Sequence, residues 1–364
     1  MDNSDIQLKK GNGRGCRYAL WSVAILLLLL IGGLLYLLLD ELQHSRQQAR
    51  FFSDAAREAR FQVKPGPSKA IRFPTGGGPY DLRLGYAAMP GYLQRLQARG
   101  YTVASQSELS DGMLALADHG VTAPVLPLGL FLPYREKDQT GLTLYDGYGQ
   151  TIYQSRTPQR VYADFKTLPP LLVNGLLYIE NRTLLDTDTP KRNPAVDWSR
   201  FSKAVFDKAL HLFDSGYRAA GASTLATQIE KYRHSPAGRT SSEQEKLRQM
   251  LSASVRAYLD GEDTTAARRQ LVVRYLNTVP LAARAGFGEV SGIGDGMWAW
   301  YGRDFAQINR ALTDPRVPVA EQAVVFKEAL SLMISQRSPS VFLNGDLKVL
   351  QAMTDAYLRM MAND

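Results

Sequence analysis

An uninterrupted apolar run near the N-terminus constrains this chain before anything else does. Residues Ala19 to Leu39 carry no charge and are nearly all apolar. At 1.5 Å per helical residue, about 21 residues reach 31 Å, the thickness of a bilayer's hydrocarbon core. Lys9, Lys10, Arg14 and Arg17 precede the run, whereas Asp40 and Glu41 follow it. That asymmetry places the N-terminus in the cytoplasm and everything after Asp40 outside. A cleaved signal peptide is the rival reading, but the run is too long and no small-residue cleavage site follows it. The expectation is a cytoplasmic tail over 1–17 and a single-pass signal anchor over 18–40. Gly32 and Gly33 would allow close helix packing within it.

The 364 residues are 45% hydrophobic, enough for one sizeable core and a smaller satellite. A formal charge of +8 and a pI near 9.4 favour an anionic partner: phospholipid headgroups, a phosphorylated substrate or nucleic acid. No RNP-type aromatic motif or zinc-finger spacing supports nucleic acid, which is set aside. The single cysteine, Cys16, lies on the cytoplasmic flank, so the external part has no disulfide. His44, His119, His211 and His234 are scattered without metal-ligand spacing, and no metal site is read from them.

After the membrane, residues 41–64 are charged and helix-compatible, the expected stalk, and Pro65-Gly66-Pro67 breaks them. The Gly76-Gly77-Gly78 stretch lacks the Gly-Lys-Ser/Thr that would close a phosphate loop. Met89 to Gly100 reads as a short helix, and Leu142 to Tyr153 as a hairpin around Asp146-Gly147. Residues 65–165 are therefore expected to form a small mixed α/β pedestal module without evident chemistry. From Leu168 the pattern is helical. Pro169-Pro170 opens an apolar helix that ends on Glu180, either a general base or a helix-end structural carboxylate. A polar loop over 186–194 leads to an amphipathic helix with Phe201, Val205, Phe206 and Phe213 on one side and Lys203, Lys208 and His211 elsewhere. That pattern suits a membrane-surface segment or a core helix.

Gly221 to Lys231 carries the sharpest local signal. A glycine and an Ala-Ser-Thr cluster able to cap a helix lead into a helix-compatible segment. Leu225 and Ile229 fall on one face, while Ser223, Thr227 and Lys231 form a polar row that Gln228 extends. Free N–H groups, hydroxyls, an amide and an ammonium at a helix start suit a phosphate. An ordinary capped amphipathic helix has the same pattern.

Several segments in order resemble the peptidoglycan glycosyltransferase family, the transglycosylase module of penicillin-binding proteins (glycosyltransferase family 51). The resemblance spans Leu168 to Ser340. Ile179-Glu180-Asn181-Arg182 and Asn193-Pro194-Ala195-Val196-Asp197 stand for the family's first motif, Glu-Asp, an aromatic and a histidine, then Pro-Gly-x-Asp. Gly221 to Tyr232 is similar to Gly-(Gly/Ala)-Ser-Thr-Ile-Thr-Gln-Gln-Leu-x-Lys-Asn, and Ser235 to Thr240 to Ser-Pro-x-Arg-Thr. Tyr275-Leu276-Asn277, Gly292-Ile293 with Trp300-Tyr301-Gly302, and Glu321 to Ser340 resemble the later motifs.

The resemblance implies a mainly α, two-lobed, lysozyme-like domain over 166–345 with a mobile segment near Asp186 to Ser215, followed by a C-terminal helix over 346–364. It implies an inner-membrane protein whose periplasmic domain polymerises lipid II onto a growing glycan strand. Glu180 would be the base, with Ser223, Thr224, Gln228, Lys231, Arg239, Lys246 and Arg248 binding the diphosphate. Other cell-wall synthesis proteins are the partners it suggests. No cofactor is certain, and a divalent cation such as Mg2+ is the one it leaves open.

This chain departs from the family in places. Asn181 replaces an aspartate, and Asn193 and Ala195 replace the histidine and glycine of the first motif. The third motif, Arg-Lys-x-x-Glu, carries a second essential carboxylate. Here one register puts Gln249 at that position and another puts Ser252, with Glu243 or Glu245 as substitutes from the preceding turn. Three functions follow: an active monofunctional glycosyltransferase, a catalytically impaired relative that binds lipid-linked precursor or glycan as a regulator or scaffold, and a lytic enzyme using Glu180 alone as acid. No Ser-x-x-Lys with a downstream Lys-Thr-Gly marks a transpeptidase half.

Overall fold

The computed structural model describes residues 13–74, 78–198 and 223–364. It opens with the helix Gly13–His44. Within this helix Trp21–His44 is long and apolar enough to cross a membrane, by length and composition, and the rest of the protein does not cover it. Such a helix is compatible with a single-pass anchor. The chain turns at Ser45, a buried residue in the left-handed region (φ 52°).

The stretch 41–64, expected as a helical stalk, is not one element. The first helix runs on to His44, a second spans Arg46–Glu58, and Phe61–Pro65 is a strand. The second helix buries Ala49, Phe52 and Ala56 in a core shared with Met113, Leu116, Val255 and Tyr258. Its charged residues form an outer face, which is why the segment resembles a free stalk in sequence. Phe61–Pro65 pairs antiparallel with Ser105–Leu109, Phe61 opposite Leu109.

Between 65 and 165 lie the helices Pro79–Arg83, Met89–Gln97 and Asp111–His119. The hairpin Thr140–Tyr145 with Thr151–Thr157 follows. Its turn forms because the Asp146 carboxylate accepts from the Tyr148 and Gln150 amides at 2.9 and 2.8 Å. Of these, Pro79–Arg83 packs against the helix Leu225–His234, and Asp111–His119 against Arg46–Glu58. At Gly78 a Cβ would come within 2.9 Å of the Arg233 carbonyl oxygen, so only glycine permits the approach.

The body is mostly helical. The helix Val319–Ser335 packs against Pro170–Glu180, Ile293–Tyr301, Phe305–Thr313 and Leu347–Asn363. Leu172, Leu176, Leu276, Ile293, Met297 and Leu330 are fully buried between them. The apolar run before Glu180 thus has a structural cause: the helix passes through the middle of the main core. Residues Ser199 to Ala222, with the expected Phe201–Phe213 helix, most of the expected mobile segment and the first two residues of the Gly221 motif, lie outside the described residues.

Candidate active site

The motif helix spans Leu225–His234, and Thr224, not Ser223, caps it. The cap is reciprocal: the Thr227 amide donates to Thr224 Oγ1 at 3.3 Å and the Thr224 amide to Thr227 Oγ1 at 2.9 Å. Both hydroxyls are therefore committed to the helix start, and Ser223 is exposed beside it. Leu225 and Ile229 go into the core, which turns Gln228 and Lys231 toward a cleft of about 530 Å³.

Glu180 ends its helix 7% exposed, with a neutral amide on each oxygen. Gln228 Nε2 donates to Oε2 at 2.7 Å and Gln336 Nε2 to Oε1 at 3.1 Å. Tyr275, fully buried, donates its hydroxyl to Gln228 Oε1 at 3.1 Å. That bond fixes which end of the Gln228 amide faces the carboxylate. Burial, then the nearby Glu180 charge, push the Tyr275 hydroxyl well above its ordinary range, so it stays a donor. The first residue of Tyr275-Leu276-Asn277 thus orients Glu180's partner. Its last residue receives the Tyr162 amide at 2.8 Å and donates to Asp138 at 3.1 Å.

Gln228 and Gln336 both line the cleft, together with Lys231, Arg239, Arg83 and Arg337. Among the described residues the one acid on the lining, Glu289, is paired with Arg83 at 2.7 Å. Burial lowers the Lys231 ammonium's pKa, and Glu180 opposes that shift. Arg239 arrives on a tight turn, Pro236–Gly238, in which Ala237 (φ 53°) and Gly238 (φ 67°) both take left-handed backbone. The result is a basic groove with a carboxylate behind its amide lining, able to hold a polyanion and accept a proton beside it.

The structure joins Glu180, Gln228, Lys231 and Arg239, but not the remaining sequence candidates. Lys246 is exposed, and neither it nor Arg248 is on the cleft lining. Arg248 turns instead to Glu245 at 3.4 Å and lies over the Phe131 ring. Gln249 and Ser252 separate clearly. Gln249 Nε2 donates to Ser235 Oγ at 2.8 Å and Thr240 Oγ1 at 3.0 Å, bracing the turn that carries Arg239. Ser252 Oγ accepts the Phe131 amide at 3.0 Å, on the side of the N-terminal segments. Among the described residues no three of His, Cys, Asp and Glu converge to hold a metal ion. Gln249's oxygen accepts from Thr240 at 3.1 Å, and Gln249 and Ser252, both neutral, supply no carboxylate to the divalent cation the resemblance leaves open.

Sequence reasoning missed Gln336, Arg337 and Arg83, and it missed a second polar cluster altogether. Glu136, from the segment read as lacking chemistry, meets three cations. Arg233 lies at 2.8 Å, His234 at 2.6 Å and Arg256 at 3.3 Å. Asp138 joins Arg233 at 3.1 Å, and Asp81 reaches His234 at 3.4 Å. Burial works against the ionised Glu136, but Arg256, His234 and Arg233 outweigh it and hold the carboxyl well below its ordinary range. Burial likewise pulls His234 down, yet Glu136 and the Asp81 hydrogen bond push it up to about 9. Arg233 and His234 close the motif helix, so this cluster ties the residues upstream of the hairpin to the helix bearing Gln228 and Lys231.

A buried carboxylate beside a cation-rich groove suits the displacement of an anionic leaving group. The transglycosylase family profile matches residues 148–362, more than half of the 364 residues. The chain belongs to that family, and it is a glycosyltransferase of the peptidoglycan transglycosylase type. No curated protein matches it at significant similarity.

Proposed function

We propose that the protein is a membrane-anchored peptidoglycan glycosyltransferase that polymerises lipid II into glycan strands. The observation that carries this reading is the Glu180 carboxylate held between Gln228 and Gln336, which line the same cleft as Lys231 and Arg239. The acceptor hydroxyl oxygen attacks the anomeric carbon of the lipid-linked donor, forming the glycosidic bond as its proton passes to Glu180. The bond from that carbon to polyprenyl diphosphate breaks with inversion. Lys231 and Arg239 take up the charge on the departing diphosphate, which needs cations more than a proton donor. The apolar helix Trp21–His44 keeps the body on the outer face of the inner membrane, where both lipid-linked reactants sit.

The Gln249 side chain favours a second reading, a catalytically impaired relative that binds lipid-linked precursor or glycan as a scaffold. Its amide braces the Arg239 turn, and one of the two registers puts the family's second carboxylate at this position. Lipid II polymerisation by the purified full chain, with and without divalent metal, separates the two. Glycan product is expected; lipid II binding without product supports the scaffold instead. Gln249→Glu and Ser252→Glu, tested separately, locate the second-carboxylate position. Activity should rise in Gln249→Glu alone, because only that side chain faces the Arg239 turn.

A further inference from the structure

A cavity of about 860 Å³ lies apart from the candidate cleft, beside the Arg46–Glu58 helix that follows the apolar one. Its walls are the Arg46–Glu58 helix, the strands Phe61–Pro65 and Ser105–Leu109, the stretch 132–135 and the turn after the Glu243–Ala257 helix. Met113 and Tyr258 line it and are closed to solvent, and Phe61, Ile71, Phe73 and Leu132 add further apolar surface. A cavity of this size and lining takes an apolar ligand with a few polar groups to orient it. Four arginines supply those groups: Arg57, Arg60, Arg72 and Arg135.

Three of these arginines rest in exposed ion pairs, Arg57 with Asp54, Arg72 with Asp118 and Arg135 with Asp260. Pairs so exposed are held by at most about 1 kcal/mol each, so a better anion displaces the carboxylates readily. Arg60 has no ion pair among the described residues. A phosphate diester, bridged by two guanidiniums, is such an anion. The position of the cavity selects the rest of the ligand. The helix that forms one wall is separated from the membrane helix by a single residue, Ser45. Its 13 residues rise only about 20 Å, and anionic leaflets attract basic groups near their surface.

The geometry points to a structural lipid site, in which this cavity takes an acyl chain of one anionic phospholipid and Arg57, Arg60, Arg72 and Arg135 hold its phosphate. The site does not depend on Glu180 or on the polymerase reading. The ligand joins the juxtamembrane helix to the body and sets the body's height above the bilayer.

Native mass spectrometry of the delipidated full chain in detergent tests this, with phosphatidylglycerol, phosphatidylcholine and a polyprenyl phosphate as probes. Phosphatidylglycerol should be retained at one per chain and at least tenfold more tightly than phosphatidylcholine. The Arg57→Gln/Arg60→Gln/Arg72→Gln variant, altered only at exposed side chains, should fall to the phosphatidylcholine level. Ile71→Trp, which fills the cavity, should do the same while leaving the arginines in place. Equal retention of the two phospholipids overturns the proposal. So does phosphatidylglycerol retention that survives both variants, which would mark lipid held on the membrane helix. Preferential retention of the polyprenyl phosphate overturns the phospholipid assignment.

Discussion

Glu136 and Glu180 are buried to nearly the same degree, 9% and 7% exposed, yet their surroundings make them opposites. Glu136 faces Arg233, His234 and Arg256 within 3.3 Å, three cations in a closed cluster. Glu180 receives two neutral amides, both lining an open cleft. Cations hold a carboxylate permanently ionised and spend its lone pairs, which makes a strut. The Gln228 and Gln336 amides orient Glu180 beside the cleft, the placement that the proposed base requires. The comparison also shows how the two regions depend on each other, since Arg233 and His234 of the strut end the helix that carries Gln228 and Lys231.

The largest effect should come from breaking the strut. Glu136→Gln leaves buried cations uncompensated and should cost about 3–5 kcal/mol of stability, read by urea unfolding of the full chain. The strut should also respond to pH. With His234 near 9 in the folded protein against 6.5 when free, its contribution is complete below about pH 6.5 and is lost as pH rises through 9. Stability should decline over that window by on the order of 3 kcal/mol, and His234→Gln should flatten the decline in the same unfolding series.

On the other side of the comparison, Gln336→Met removes one donor from Glu180 while keeping side-chain length. It should lower kcat about tenfold, close to 1.4 kcal/mol, with KM and melting temperature little changed. The smallest effect belongs to the turn that presents Arg239. Ala237→Gly should raise stability by about 1 kcal/mol, because alanine is held there in left-handed backbone. A melting curve reads this directly.

What could be read in the sequence follows the same division. Glu180 and the Leu225–His234 helix were legible because their signals are local: an apolar run closed by a carboxylate, and a cap followed by helical spacing. The strut was not, because Glu136 and Arg233 stand 97 residues apart and Arg135-Glu136-Lys137-Asp138 looks like any charged loop. The Arg46–Glu58 helix reads as a stalk in sequence for a related reason. Its buried face, Ala49, Phe52 and Ala56, needs Tyr258 and Met113 to be recognised as core. Thr224 illustrates the reverse: a hydroxyl assigned to phosphate binding is engaged in capping its own helix. Gln336 carried no signal at all, being a neutral amide just past a helix end whose partner lies 156 residues earlier.

Glu180, and not merely the fold around it, is proposed to perform the chemistry. Glu180→Gln keeps the size and hydrogen-bonding capacity of the side chain while removing its basicity. Lipid II polymerisation and lipid II binding should be measured on that variant side by side. Polymerisation should fall by about 10²–10⁴-fold with binding retained. Polymerisation at the unsubstituted rate would contradict the assignment.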